Sequence, residues 1–333
     1  MTNRMTRSLI EQLVRGKLKD LKESPERTTR NLVDMALQFS NGRFQKQFFE
    51  IAQEMLHNES SPYYQLIYQM VSNINTERLL TFGMNVGYNS FTYGAKIIRK
   101  QEAENGYNIP WCVTLELDAQ TILNHPEHYH KLLNEGKSLG IYTWNIFSHG
   151  QLIHFLPLME MNSDCAFLLF CKAEELTDDL LDNLIDIHNF MFVIEYDETK
   201  TDVFAVLQNR NFLFSSYLSY CTEDCEKICS HESLCCISTT NSVFAIFLPE
   251  ESCDNQILLK VCKYTQDTLR NPICKTLPFE LIGDNKRIDS IISDDACCAW
   301  FLSDGTLIAR PDLSHYHQNL SDILKTAFPK TKS

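Results

Sequence analysis

Carboxylates, amides, imidazoles and thiols cluster at a few places in this sequence, and each cluster suggests a different chemistry. Glu116 and Asp118 stand two positions apart at the end of an apolar run, 113–117. Two carboxylates at that spacing share one face of a strand, as a paired acid–base site would require. The competing reading is preferred: Asp118 has left the strand and caps the next helix, since Asp is a favoured N-cap. A second cluster is Gly83-Met84-Asn85-Val86-Gly87-Tyr88-Asn89-Ser90-Phe91. Gly87 permits close backbone approach to a ligand, and a helix starting near Thr92 would attract an anion to its N-terminus. Asn85, Asn89 and Tyr88 would add polar contacts, or the asparagines would simply cap that helix. A third cluster, Tyr142, Thr143, Trp144 and Asn145 followed by Ser148-His149, would suit a flat organic ligand or a peptide, and equally a core. The candidate ligand-binding residues are thus Asn85, Gly87, Tyr88, Asn89, Glu116, Tyr142, Trp144 and Asn145. No residue can be assigned a catalytic role.

Metal donors are plentiful but poorly spaced. His125-Pro126-Glu127-His128-Tyr129-His130 lacks the i, i+4 histidine pair of zinc hydrolases, and Pro126 reads as the first turn of a surface helix. Cys221, Cys225 and Cys229 repeat every four residues, with His231, Cys235 and Cys236 close behind. Thiols stacked along one helix face converge poorly on an ion, whereas free cysteines are commonly buried. No metal site is therefore expected. Whether Cys221, Cys225, Cys229, Cys235, Cys297 or Cys298 hold metal stays open at this point. Gly136-Lys137-Ser138-Leu139-Gly140 has GxSxG spacing but ends a helix-like stretch and so is no nucleophile elbow, and there is no P-loop, HExxH or strand-borne GxGxxG, so hydrolase, kinase and dinucleotide readings lose their usual support.

These residues must be positioned by a sizeable fold. The chain has 333 residues, 44% hydrophobic and 22% charged, enough for a real core. Residues 7–22 show apolar positions at helical spacing, Ser24-Pro25-Glu26 starts a second helix, residues 44–56 form a third, and Ser61-Pro62 opens a fourth. Apolar runs then recur at 79–82, 113–117, 140–147, 166–170, 190–196, 212–218 and 243–248, with helix-like stretches between them. Continuous rather than alternating apolar runs fit strands buried on both faces, and the spacing is that of βαβ units. The expected class is α/β: a parallel (β/α) barrel or partial barrel with an N-terminal helical bundle and a small C-terminal hairpin extension. The expected domains are 1–77, 78–272 and 273–333. Ser303-Asp304-Gly305 supplies the hairpin turn, and a short helix closes the chain.

The net charge of −13 speaks against a nucleic-acid partner, which needs clustered cations. The charge is uneven: residues 1–48 hold ten Lys/Arg against five Asp/Glu, so this head is +5 and the rest −18. No apolar run reaches the ~20 residues of a membrane span, and the start lacks a secretory h-region. A cytoplasmic protein, with its thirteen cysteines mostly reduced, is expected.

The run 79–82 followed by Gly83 to Phe91 resembles the first strand and cluster-binding loop of radical SAM enzymes, CNxxCxxC. Asn85 stands where that loop often has Asn, while Met84, Tyr88 and Phe91 stand where its cysteines would be. Val113-Thr114-Leu115-Glu116 resembles the family's second strand, without its glycines, and Ile141-Tyr142-Thr143-Trp144-Asn145 its third. Ala296-Cys297-Cys298-Ala299-Trp300-Phe301-Leu302-Ser303-Asp304-Gly305-Thr306-Leu307 is similar to the hairpin of SPASM extensions in peptide maturases, and Gln318 to Leu324 to the segment after it. The resemblance covers about residues 78–328. It implies a partial barrel whose cluster ligands are lost, hence no radical catalysis and no cofactor. It further implies a bacterial accessory or binding protein, with a peptide or an active maturation enzyme as partner. Two alternatives stay open: a barrel enzyme of another class using Glu116, Asn85, Tyr88 and Asn145, and a metal-binding protein using the late cysteines.

Overall fold

The computed structural model describes residues 3–38, 43–293 and 295–330. The chain forms two compact units, Met1–Leu80 with Phe192–Asp284, and Thr81–Met191 with Asn285–Ser333. It begins with α1 (Asn3–Glu23), α2 (Pro25–Gln38), α3 (Arg43–Met55) and α4 (Pro62–Asn73). Next, α5 (Thr76–Met84) runs without a break into a π-helical stretch, Asn85–Gly94, and then α6 (Ala95–Asn105). Strand–helix units follow: β1 (Cys112–Glu116), α7 (Ala119–Asn124), α8 (Glu127–Leu139), β2 (Thr143–Phe147), α9 (Leu152–Met161), β3 (Ala166–Cys171), α10 (Asp178–Asn183) and β4 (Phe190–Glu195). They continue with α11 (Asp202–Asn209), β5 (Phe214–Tyr220), α12 (Cys225–Cys229), α13 (Glu232–Ser238), β6 (Phe244–Pro249), α14 (Asn255–Arg270), β7 (Leu277–Glu280) and α15 (Leu281–Ser293). The last elements are β8 (Ala299–Phe301), β9 (Thr306–Leu307), β10 (Arg310–Ser314) and α16 (Leu320–Ala327).

In the first unit the strand order is β4-β5-β6-β7, all parallel. In the second it is β10-β9-β8-β1-β2-β3, with β8, β1, β2 and β3 parallel and β9 antiparallel to both its neighbours. Neither unit reverses its strand order at a switch point. Doubly wound sheets do, so the α/β fold is wound in the sense of a barrel or partial barrel. The strands are buried on both faces, as their continuous apolar sequences require. Among the described residues no helix is long and apolar enough to cross a membrane.

The four N-terminal helices form as their periodicity predicts. Tyr64 of α4 donates to the Leu56 carbonyl at 2.7 Å and accepts from Arg30 Nε of α2 at 2.7 Å, which ties α4 to α2. In the second unit α8 lies close on β2 because Gly136 leaves room for the fully buried Trp144; a Cβ there would come within 2.4 Å of the indole. In the first unit Phe247, Val261, Ile228 and Ile237 fill the core between β6 and its helices.

Three expectations need correction. The run 79–82 is not a strand but part of α5, so that 113–116 and 141–145, likened to the family's second and third strands, belong to the first and second strands here. Leu79, Leu80 and Phe82 suit a helix face as well as a strand, and Asn75 decides between them: its side chain accepts from the backbone N–H of Glu77 (2.9 Å) and Arg78 (3.2 Å) and caps a helix. Consequently Gly83 to Phe91 is helical and not a loop at a strand end. The strand β7 was hidden by Pro278, a residue tolerated there because β7 ends its unit's strand order. The C-terminal hairpin forms as expected, with Phe301 opposite Leu307 and Gly305 at φ 81°, but β8 also pairs in parallel with β1.

Gly94 and Gly87 test the helical packing of residues 85–94. A Cβ on Gly94 would lie 2.3 Å from the Gly140 carbonyl oxygen, whereas nothing lies within 4 Å of one on Gly87. Gly94→Ala should destabilise the protein by about 1–3 kcal/mol through overpacking against rigid backbone. Gly87→Ala should be neutral or stabilise by up to about 1 kcal/mol, as for glycine inside a helix. Urea unfolding midpoints of the two variants against wild type check both.

Candidate functional site

In parallel sheets ligands bind where the strands end at their C-termini. In the second unit that edge brings together residues from β1, β2, β3 and β8. Glu116, Phe147 and Phe170 stand in register across β1, β2 and β3. Phe147 stacks on Phe170 at 4.4 Å and on Trp300 at 5.1 Å between ring centroids. Glu116 Oε1 accepts from Trp300 Nε1 at 3.0 Å, and its Oε2 lies 3.5 Å from His149 Nε2. The Glu116 side chain is 19% exposed and that of His149 55%, so the imidazole is open to solvent while the carboxylate sits against the aromatic rings.

His149 is held there by an unusual backbone. Its φ is 43°, and Gly150 follows at φ 79°. Left-handed backbone is uncommon outside glycine and persists only when the surroundings enforce it. Glu175, just beyond β3, does the enforcing. It accepts from the Ser148 hydroxyl, from Gly150 N at 2.9 Å and from Lys172 N at 3.0 Å, which pins the turn after β2 to the one after β3. The hydrogen bond to Glu116 raises the His149 pKa above its ordinary value, against the opposing effect of burial. Chemically the edge offers an imidazole–carboxylate pair beside a stack of aromatic rings, suited to hydrogen-bonding or proton exchange with a polar group carried on an apolar ligand.

The candidate residues from the sequence divide among different places. Asn145 is on the same face of β2 as Phe147, one row deeper, where its Nδ2 donates to Thr114 Oγ1 at 3.1 Å. Trp144 faces α8 and is fully buried. Tyr142 is buried just before β2 beside Tyr93, and burial pushes its phenol pKa up. Asn85 Nδ2 donates to the carbonyls of Ser163 (2.9 Å) and Cys165 (2.8 Å). Asn89 Nδ2 donates to Asn85 Oδ1 (3.0 Å) and to the Asp164 carbonyl (2.7 Å). Those carbonyls immediately precede β3, so the asparagines sit at the strand starts, the opposite end from Glu116. Tyr88 is buried in the same helical stretch and Gly87 is exposed. Asp118 caps α7 by accepting from Thr121 N at 2.7 Å. His149 stood in the sequence only as a neighbour of the third cluster. Glu175 and Trp300 carried no local signal, because they join the site through sheet pairing across 59 and 184 positions from Glu116.

The radical SAM resemblance implies a [4Fe–4S] cluster, and the residues present do not fit one. The loop after the first strand, β1, holds no cysteine, and Met84, Tyr88 and Phe91, matched to the cysteine positions in the sequence, lie on a helical segment that precedes that strand and sits at the strand starts. The late cysteines do not substitute. Cys225 and Cys229 come within 4.0 Å, but among the described residues no third cysteine joins them at ligand distance. Burial pushes the Cys297 thiol up, and that thiol donates to Asp289.

The His149–Glu116 pair makes a pH prediction. A raised folded-state pKa contributes stability that is fully present below the ordinary value of 6.5 and is lost as pH rises through the folded value. Glu116→Gln should lower the His149 pKa towards 6.5 and flatten that pH dependence. Histidine-detected NMR titration of wild type and variant measures the shift, and an unchanged pKa would show that the two groups do not interact.

No protein-family model and no curated protein matches this chain. Solved structures do. Streptococcus suis SuiB bound to S-adenosylmethionine is similar over 71% of this chain and 68% of its own, with a TM-score of 0.50 and 11% identity. SuiB bound to precursor peptide SuiA is similar over 71% and 69%, with a TM-score of 0.50 and 8% identity. At such identities the likeness is one of fold: the chain has an α/β fold similar to that of SuiB.

Proposed function

We propose that this chain is a radical-SAM-like protein without radical chemistry, a binding or accessory protein of peptide modification. The observation that carries the reading is the run after β1, the first strand: Leu117 to Tyr142 holds no cysteine, and Met84 to Phe91, matched to the family motif in the sequence, is a helix locked by Asn85 and Asn89 at the strand starts. The strand-end edge of the second unit then serves as a ligand surface. Its exposed His149, partly buried Glu116 and stacked Phe147 and Trp300 suit a peptide, whose amides need hydrogen-bond partners and whose side chains need apolar contact. That a similar fold occurs in SuiB bound to a precursor peptide supports the same ligand class here. The C-terminal β8–β9 hairpin supports a SPASM-like extension, and an active maturation enzyme is the natural protein partner. The reading places the protein in the cytoplasm, with no cofactor.

One observation favours a second reading. The Glu116–His149 pair has the geometry of an acid–base dyad, so a cluster-independent enzyme acting on a small molecule is the alternative. In that reading Asn145 stands one row deeper on the same face, while Asn85 and Tyr88 are at the other end of the strands.

Anaerobic reconstitution with iron and sulfide, followed by iron analysis and an assay for S-adenosylmethionine cleavage, tests the first reading. We expect no four-iron cluster and no cleavage. Stoichiometric iron with cleavage would overturn it. Trp300→Ala should weaken binding of a precursor peptide about tenfold or more if the aromatic stack is its anchor, as measured by calorimetry.

A further inference from the structure

We propose that His125, Glu127 and His128 form a surface site for a divalent first-row transition ion, Zn²⁺ foremost, at the start of α8. Their donor atoms all lie within 4.8 Å of one another, a spacing met by no other three His, Cys, Asp or Glu residues among those described. His125 Nδ1 is 3.0 Å from Glu127 Oε1. Two ligands at bond lengths of about 2.0–2.2 Å on one ion stand roughly this far apart. Two imidazoles and a carboxylate leave at least one coordination position for water or a ligand atom.

The backbone explains why three residues so close in sequence can converge. His128 N donates to the His125 carbonyl at 3.1 Å, which closes a turn with Pro126 at its second position. Proline fixes φ there, at −59° with ψ −19°, as a type I turn requires. The first and fourth residues of such a turn face the same side, so the two imidazoles meet with ring centroids 5.8 Å apart. The His128 ring also packs edge-on against Tyr316 at 5.5 Å. Tyr316 is itself held by hydrogen bonds to the Ser303 carbonyl (2.9 Å) and to the Tyr129 hydroxyl (3.1 Å). One ligand is therefore backed by ordered structure, which lowers the entropy lost on binding.

Two effects oppose binding. The start of a helix carries partial positive charge, which disfavours a cation. The His125 and Glu127 side chains are 62% and 67% exposed, so water competes for the ion. The Glu127 carboxylate answers the first effect, since it stands in the first turn of α8. Imidazole with carboxylate is also the donor set that binds Zn²⁺, Ni²⁺ and Cu²⁺ in preference to Mg²⁺ or Ca²⁺. The place in the fold gives the site a use. Because α8 runs back to the start of β2, its own start lies at the end of the sheet where β1 and β2 finish, the same end as Glu116 and His149.

Titrating Zn²⁺ into chelator-stripped full-length protein tests the site. The wild type should bind one equivalent that His125→Ala and His128→Ala weaken at least about tenfold and Glu127→Gln weakens less, with His317→Ala unchanged. All four residues are on the surface and should leave folding intact, which the unfolding midpoint checks. Co²⁺ provides the second readout, since thiolate ligation gives strong near-ultraviolet charge-transfer bands that histidine and carboxylate do not. A first equivalent without those bands is expected. Wild-type Zn²⁺ binding in both histidine variants, or thiolate bands on the first equivalent, would overturn the proposal by placing the ion on cysteines.

Discussion

Two asparagine side chains hold the second unit together at the strand starts. Asn85 and Asn89 satisfy the consecutive carbonyls of Ser163, Asp164 and Cys165, and Ser90 adds a 2.7 Å hydroxyl contact to Thr143 at the start of β2. The bond to the Cys165 carbonyl is buried, and a buried carbonyl left without a partner costs about 1–3 kcal/mol. This clamp also dictates local geometry. The wide π-helical turn lets Ser90 Oγ reach the Asn85 carbonyl and Thr92 Oγ the Gly87 carbonyl, each five residues back. A segment used this way is a helix at the strand starts, ahead of the first strand, and not the open loop after a strand that gathers thiolates around a cluster.

The opposite end of the same strands is built on different physics. Glu116 is partly shielded and bonded to an indole, His149 is open, and the strained turn that presents His149 is fixed by one carboxylate, Glu175. Strain imposed by neighbours at a strand end is a common mark of function. The stable clamp and the exposed edge thus occupy separate ends of one sheet. The first can be rigid without restricting the second.

Much of this fold was legible in the sequence because its signals are local. Helical periodicity set α1 to α4, and continuous apolar runs set β1 to β6, where burial on both faces leaves no ambiguity. Asp118 as a cap and Ser303-Asp304-Gly305 as a turn are equally local. The errors arose where a longer-range or subtler term decided. Leu79 to Phe82 satisfied two periodicities, and the Asn75 cap selected the helix. That single change moved Asn85 and Asn89 from a presumed ligand loop to the strand starts. The site itself was half legible: Glu116 could be suspected from its position at a strand end, but Trp300 and Glu175 reach it only through pairing of β8 with β1 and of β3 with β2, which no local pattern encodes.

Amide hydrogen exchange across residues 85–94 tests the central claim most directly. If the segment is the clamped helix described here, its amides should exchange as slowly as those of β2, because opening them would break the asparagine contacts. Fast exchange throughout the segment, like that of an exposed loop, would contradict the account and return Met84 to Phe91 to the status of a mobile loop.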